Sequence, residues 1–142
     1  MKKVNGLNCI LLVDDDEISN YLNRLVIEKS GVDVHVEVAL NGFAALEYLN
    51  SSGQSDARPE PDLIFLDINM PRMNGWEFLN EYQKLKNKKK SDTSIAMLSS
   101  SIDIDDMDTA LKKYELPLYI DKPLTTSKLE EVFGKCFPVR DN

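Results

Sequence analysis

The stretch Cys9-Ile10-Leu11-Leu12-Val13-Asp14-Asp15-Asp16 decides the fold. Five apolar residues run without a polar break and then meet three acids. A continuous apolar run this short suits a strand buried on both faces, the pattern of a parallel sheet. Similar segments follow at Asp62-Leu63-Ile64-Phe65-Leu66-Asp67, at Ile95-Ala96-Met97-Leu98 ahead of Ser99, and at Leu118-Tyr119-Ile120 ahead of Asp121-Lys122. Val34, Val36 and Val38 instead alternate with Asp33, His35 and Glu37, which marks a half-exposed edge strand.

Helical signals separate these strands. Ile18, Leu22, Leu25 and Val26 mark an apolar stripe that stops near Ser30-Gly31. Asn41-Gly42 opens a second helix through Ala45, Leu46 and Leu49. Pro71 and Asn74-Gly75 punctuate a turn before a helix carrying Trp76, Leu79 and Tyr82. Asp105 to Tyr114 reads as a fourth helix. Leu129, Val132, Phe133 and Cys136, spaced i, i+3, i+4, i+7, mark a fifth, with Ser127 and Glu130 as a capping-box pattern ahead of it. Ser51 to Pro61 holds Gly, Ser, Gln and two prolines and reads as a loop; Lys86 to Lys90 reads as a mostly basic loop. The order is βαβαβαβαβα. Strands joined by crossover helices form a parallel sheet with helices on both faces, a doubly wound α/β fold.

Composition bounds the function. The chain has 142 residues, one ordinary domain's worth. With 17 basic and 24 acidic residues, its formal net charge is −7. That balance argues against binding a nucleic-acid backbone, which needs clustered Lys and Arg. Hydrophobic residues at 42% and charged residues at 29% are globular values. Cys9 and Cys136 make neither a metal-type pair nor a disulfide framework. They read as small core hydrophobes. No apolar run approaches the ~18 residues of a membrane span. The charged start Met1-Lys2-Lys3 leads into a strand and not into a signal peptide, so the expected compartment is the cytoplasm.

The chemistry gathers at strand ends, where open α/β sheets bind ligands. Asp14 and Asp15 end the first strand, Asp67 the third and Ser99 the fourth, and Lys122 follows the fifth. Three carboxylates brought together repel, and one would keep its proton unless a cation is present. Hard oxygen ligands with room for water suit Mg²⁺. A metal beside Asp67, with Lys122 and a hydroxyl opposite, can hold a phosphoryl group. A carboxylate is a competent phosphoryl nucleophile.

At these residues the sequence resembles the response-regulator receiver domain of two-component signalling. The matching stretches are Ile10 to Glu17, Leu63 to Gly75 with its Asp67-Ile-Asn69-Met-Pro71 core, Met97-Leu-Ser99-Ser-Ser, and Tyr119-Ile-Asp-Lys122-Pro123-Leu124. Asn41-Gly42 and the helix after it also fit. Each motif alone is weak; four in order, each at its strand end, are specific. The resemblance runs from about residue 8 to residue 137. It implies a flavodoxin-like five-stranded sheet of order 2-1-3-4-5, forming a single receiver domain over 1–142 with no output domain after it. Asp67 would be the phospho-acceptor. Asp14, Asp15, Asp67 and the backbone carbonyl of Asn69 would bind Mg²⁺, Asp14 mainly through water. Ser99 and Lys122 would bind the phosphoryl oxygens. Ser99 and Tyr119 would form the switch, and the Lys122-Pro123 bond would be cis. Partners would be a sensor histidine kinase or histidine phosphotransfer protein, and a downstream protein target; neither nucleic acid nor membrane is expected. Such a chain is a signalling receiver that catalyses only its own phosphorylation and dephosphorylation. It could also serve as an intermediate in a phosphorelay.

Ser at 99 replaces the family's commoner Thr and keeps the hydroxyl. The loop at 51–61 is long for the family. Asp121 puts an acid beside Lys122, although strand alternation should point it elsewhere. Singly, the residues have plainer readings: Asp14 to Asp16 as helix caps, Asp67 as a turn residue, Lys122 as a solvated lysine. His35 reads as exposed, Trp76 as helix packing. One rival is a haloacid-dehalogenase-like phosphatase, since Asp14-x-Asp16 nearly fits that nucleophile motif. Its later motifs should run Ser/Thr, Lys, acid pair; here Asp67 precedes Ser99 and Lys122. Another is a pseudo-receiver, a binding module without phosphorylation, but such domains usually lack one of the acids or the Lys.

Overall fold

The run Cys9–Val13 forms β1, buried at every position. The computed structural model describes residues 2–89, 92–100 and 103–138. After β1 come α1 (Glu17–Lys29), β2 (His35–Ala39), α2 (Gly42–Ser51), β3 (Leu63–Leu66) and α3 (Gly75–Lys89). β4 (Ser94–Ser99), α4 (Ile104–Asp108), β5 (Leu118–Asp121) and α5 (Thr126–Cys136) complete the chain, with a π-helical turn, Thr109–Lys113, continuing α4. All strands are parallel, in the order β2-β1-β3-β4-β5. Doubly wound topology and strand order are as the sequence and the resemblance imply.

Alternation along the buried strands feeds two cores. Leu11, Val13, Ile64 and Leu66 pack on one face with Ala45 and Leu49 of α2 and Phe78 and Leu79 of α3. Ile10, Leu12, Phe65 and Leu98 pack on the other with Ile27 of α1 and Leu129, Val132 and Phe133 of α5. Registry then aligns the strand ends: Val13 pairs with Ala39 and with Leu66, Leu66 with Met97, Ser99 with Asp121. The residues just past those pairs share one edge.

Several local expectations change. The apolar stripe of α1 does not face the sheet: Ile18 is 70% and Leu22 50% exposed, while Asn20, Asn23 and Ile27 are buried. Asp16 caps α1, its carboxylate accepting from the Ile18 amide. That cap and the hydrogen bond of Asn20 to the Asp14 carbonyl set the helix's rotation. Leu25 and Val26 are half-buried. Residues 86–89 are not a loop but the last turn of α3; lysine is a good helix former, and the run needs only solvent around it. Lys90 lies outside the described residues. The cap of α5 is Thr125, which accepts from the Lys128 amide, and not the Ser127–Glu130 pair. The reciprocal capping box sits instead at α3, between Asn74 and Glu77. The helix expected over Asp105 to Tyr114 starts at Ile104 and is α-helical only to Asp108.

The long segment after α2 is pinned. Tyr48 Oη donates to the Pro59 carbonyl at 2.7 Å, and the Asp62 carboxylate accepts from the amides of Asn8 and Cys9. The start of α3 is pinned harder. The Gly75 amide donates to the Ile68 carbonyl at 2.8 Å. A Cβ on Gly75 would lie 2.7 Å from the Asp67 carbonyl oxygen. Only glycine lets α3 begin this close to the end of β3. Gly75→Ala should therefore lower stability by about 1–3 kcal/mol, the usual cost of forcing atoms into a packed site. Urea unfolding of the two proteins measures this; equal midpoints would mean that the contact is not tight.

Candidate functional site

Asp14 leaves β1 with its carboxylate nearly closed off from solvent. One oxygen accepts from the Asp16 amide at 2.9 Å. The other accepts from Lys122 Nζ at 2.6 Å. Lys122 comes from just past β5, its main-chain amide bonded to the Ser99 carbonyl at 2.7 Å. Its ammonium also lies 3.7 Å from Asp67 Oδ1. Carboxylate oxygens of Asp14, Asp15 and Asp67 fall within 4.8 Å of one another, with Asp14 and Asp67 buried and Asp15 exposed. Ser99 is fully buried at the end of β4. Asp14, Asp15, Asp67 and Lys122 are thus brought together, and Ser99 is tied to Lys122 at the main chain.

Electrostatics follow the packing. Burial, and then the Asp14 charge, push the Asp67 carboxyl up to about 6, against the pull of Lys122. A backbone hydrogen bond from Asn69 also favours the ionised form. Lys122 moves upward: burial opposes its charge, but the hydrogen bond to Asp14 and the charges of Asp67 and Asp14 outweigh it. Asp16 is held low by its hydrogen bonds to Ser19 and Ile18 and acts as a cap. Of the plain readings, helix capping therefore describes Asp16. Lys122 is largely enclosed and ion-paired, not a solvated lysine.

The neighbours behave as alternation requires. Asp121 faces Lys128, 3.3 Å away, and leaves Lys122 to the acids. The Lys122-Pro123 bond is cis. Tyr119 is half-buried against the core that holds α2 and α3. His35 is exposed beside Glu37. Trp76 stacks on Tyr114 with ring centroids 5.6 Å apart. Sequence reasoning missed Asn20, an amide among apolar spacings; its signal was its place one turn past Asp16.

The donor set suits a hard divalent cation: three clustered carboxylates, one of them with its pKa raised to about 6 by burial and then by the Asp14 charge. A family model for the response regulator receiver domain matches residues 10–133. The chain belongs to this family. The receiver is 31% identical to response regulator Rcp1 from Synechocystis, over 91% of this chain and 84% of that protein. Other relatives are longer, and the receiver covers 30% and 22% of two of them. Among solved structures, a two-component response regulator from Cytophaga hutchinsonii superposes with a TM-score of 0.82 at 32% identity, covering 93% of this chain and 98% of that one. The Mn²⁺-bound form of Rcp1 superposes with a TM-score of 0.68 at 28% identity, over 89% and 88%. Receiver domains are signalling modules. No described helix is long and apolar enough to cross a membrane.

The Asp67 shift has a pH signature. Native Asp67 takes up its proton near 6, whereas an unfolded aspartate does so near 3.9. Between those values the native state binds the extra proton, so acidification stabilises the metal-free protein through this group. The gain is complete below the lower value and absent above about 6, and amounts to at most on the order of 3 kcal/mol. Asp67→Asn should lack this component. Melting temperatures across that pH range in EDTA test it; identical pH profiles for both proteins would contradict the shift.

Proposed function

We propose that Asp67 is the phospho-acceptor of a Mg²⁺-dependent receiver charged by a phosphohistidine donor. One observation carries the reading: Lys122 is the ammonium inside an acid cluster, close enough to serve Asp14 and Asp67 in turn. An Asp67 oxygen forms a bond to phosphorus as the P–N bond of the donor breaks, and the electron pair stays on the imidazole nitrogen. Lys122, released from Asp14, donates to a phosphoryl oxygen, and the Ser99 hydroxyl donates to another. Asp14, Asp15, Asp67 and the Asn69 carbonyl are the groups that would hold Mg²⁺, Asp14 mainly through water. Bound there, the ion neutralises charge on the phosphoryl oxygens.

The donor is a sensor histidine kinase or a histidine phosphotransfer protein, and the exchange belongs in the cytoplasm. Ile18, Tyr21 and Leu22 on α1, and Leu40 and Phe43 around the start of α2, are exposed apolar side chains on the elements leaving β1 and β2 at the acid edge. They suit contact with such a donor. Motif order disfavours the haloacid-dehalogenase-like alternative: Asp67 precedes Ser99 and Lys122, and no Asp-Asp pair follows Lys122.

Output follows from Ser99. A phosphoryl dianion rewards a nearby donor, so Ser99 shifts toward Asp67 and carries the end of β4 with it. Tyr119, with its apolar body and polar tip, turns into the vacated space. This alters the protein-binding face of α4, β5 and α5.

Two outcomes test the reading. Asp67→Asn should fold but take no phosphoryl group from acetyl phosphate or a phosphohistidine donor, scored by intact mass. A hydroxylamine-labile adduct on that variant would move the nucleophile, Asp14 first. Ser99→Ala should still accept beryllofluoride, a phosphoryl mimic, while amide shifts around Tyr119 shrink to a small fraction of those in the wild type. Equal shifts would remove the Ser99 hydroxyl from the switch.

A further inference from the structure

Asn20 lies on the inward face of α1 with 4% of its surface exposed, and Asn23 is buried one turn on. An amide is costly to bury unless its polar atoms find partners. Half of Asn20 finds one: Nδ2 donates to the Asp14 carbonyl at 2.8 Å. Its Oδ1 has none among the described residues. The gap that Asn20 and Asn23 share with Asp14 and Asp67 is too narrow for a water molecule. A leucine at this position would pack the same face without an orphaned side-chain oxygen, at the cost of the donor to the Asp14 carbonyl. The asparagine keeps a buried polar atom unsatisfied, and such groups call for a functional account.

The hydrogen bond that Asn20 does make falls where the sheet stops supplying partners. The Asp14 amide still reaches the Ala39 carbonyl, at 3.1 Å. The Asp14 carbonyl lies past the end of β1, and the donor that reaches it is the Asn20 amide. That carbonyl belongs to the peptide joining Asp14 to Asp15. Fixing the peptide fixes the plane from which both side chains leave. Asp14 and Asp15 have different tasks there: Asp14 is engaged with Lys122 and the Asp16 amide, while Asp15 is exposed.

We propose that Asn20 is a positioning residue of the acid cluster, holding the Asp14–Asp15 peptide so that Asp15 stays aimed at the cation while the Asp14 carboxylate exchanges Lys122 for it. The inference rests on the phosphoryl-accepting reading of the site. It assigns Asn20 no contact with substrate or metal.

The test titrates Mg²⁺ alone into wild type, Asn20→Leu and Asn20→Ala by calorimetry, and melts each protein in EDTA. Losing the outer partner of a metal ligand typically weakens metal binding tenfold or more. Asn20→Leu should bind Mg²⁺ about tenfold more weakly yet melt within a few degrees of the wild type, because removing the orphaned amide oxygen and adding apolar burial offset the lost hydrogen bond to the Asp14 carbonyl. Asn20→Ala keeps a strong helix former at the position. It should lose Mg²⁺ affinity by a similar factor whatever its melting temperature. Unchanged affinity in both variants, with only the melts lowered, would make Asn20 a packing residue and overturn the proposal. A wild type that takes neither Mg²⁺ nor a phosphoryl group from acetyl phosphate would overturn the reading of the site, and this inference with it.

Discussion

Three carboxylates within a few ångströms of one another cannot all stay ionised without a cation, and Lys122 is the cation the chain supplies. Its ammonium is mostly enclosed, so the pair with Asp14 is not a surface ornament. Burying such a pair costs desolvation that its attraction barely offsets, whereas removing one partner leaves an uncompensated charge. The arrangement is therefore poor as a stabilising device and good as a reactive one. It holds Asp67 near the point where its proton and a metal compete. The rest of the fold serves the convergence: parallel strands in aligned register, with Asp14 and Asp67 one residue past β1 and β3, Asp15 next to Asp14, and Lys122 one past β5.

In the proposed function the same geometry would couple chemistry to signal. Lys122 and Ser99 are tied at the main chain, the Lys122 amide to the Ser99 carbonyl. A group drawing on both side chains pulls on one connected unit at the ends of β4 and β5. Tyr119 lies three residues back along β5, in register with Met97. Beyond it, the Trp76–Tyr114 stack and the hydrogen bond from Tyr114 to Asn80 bind the end of the α4 region to α3. Gly75, next to Trp76, holds the start of α3 against the Asp67 backbone. Phosphorylation would act by favouring one of two arrangements of these elements, and only a partner that discriminates between them can read the change.

Much of this was legible in the sequence because its signals were redundant. Four apolar runs each ended in a polar residue of the right type, and no competing fold accounts for acids, hydroxyl and lysine in that order. What misled was local. Around α1, apolar spacing pointed to Ile18 and Leu22, but the helix turned so that Asn20 could satisfy a carbonyl left over at the strand end. Polar satisfaction overrode the hydrophobic pattern there, as it does where backbone groups lose their ladder partners. The lysine run at 86–90 reads as a mostly basic loop because it lacks an apolar stripe, whereas α3 continues through residue 89. The capping-box pattern pointed to α5, while the observed box, Asn74–Glu77, lies in a segment whose Pro71 and Asn74-Gly75 read as a turn.

The central claim is that Lys122 guards Asp14 and is released when Asp67 carries a phosphoryl group. A crystal structure with Mg²⁺ and beryllofluoride tests it directly. The account predicts beryllofluoride on Asp67, Mg²⁺ against Asp15 and Asp67, and Lys122 Nζ moved from Asp14 onto the fluorides. Beryllofluoride on another acid, or on Asp67 with Lys122 still 2.6 Å from Asp14, would contradict it.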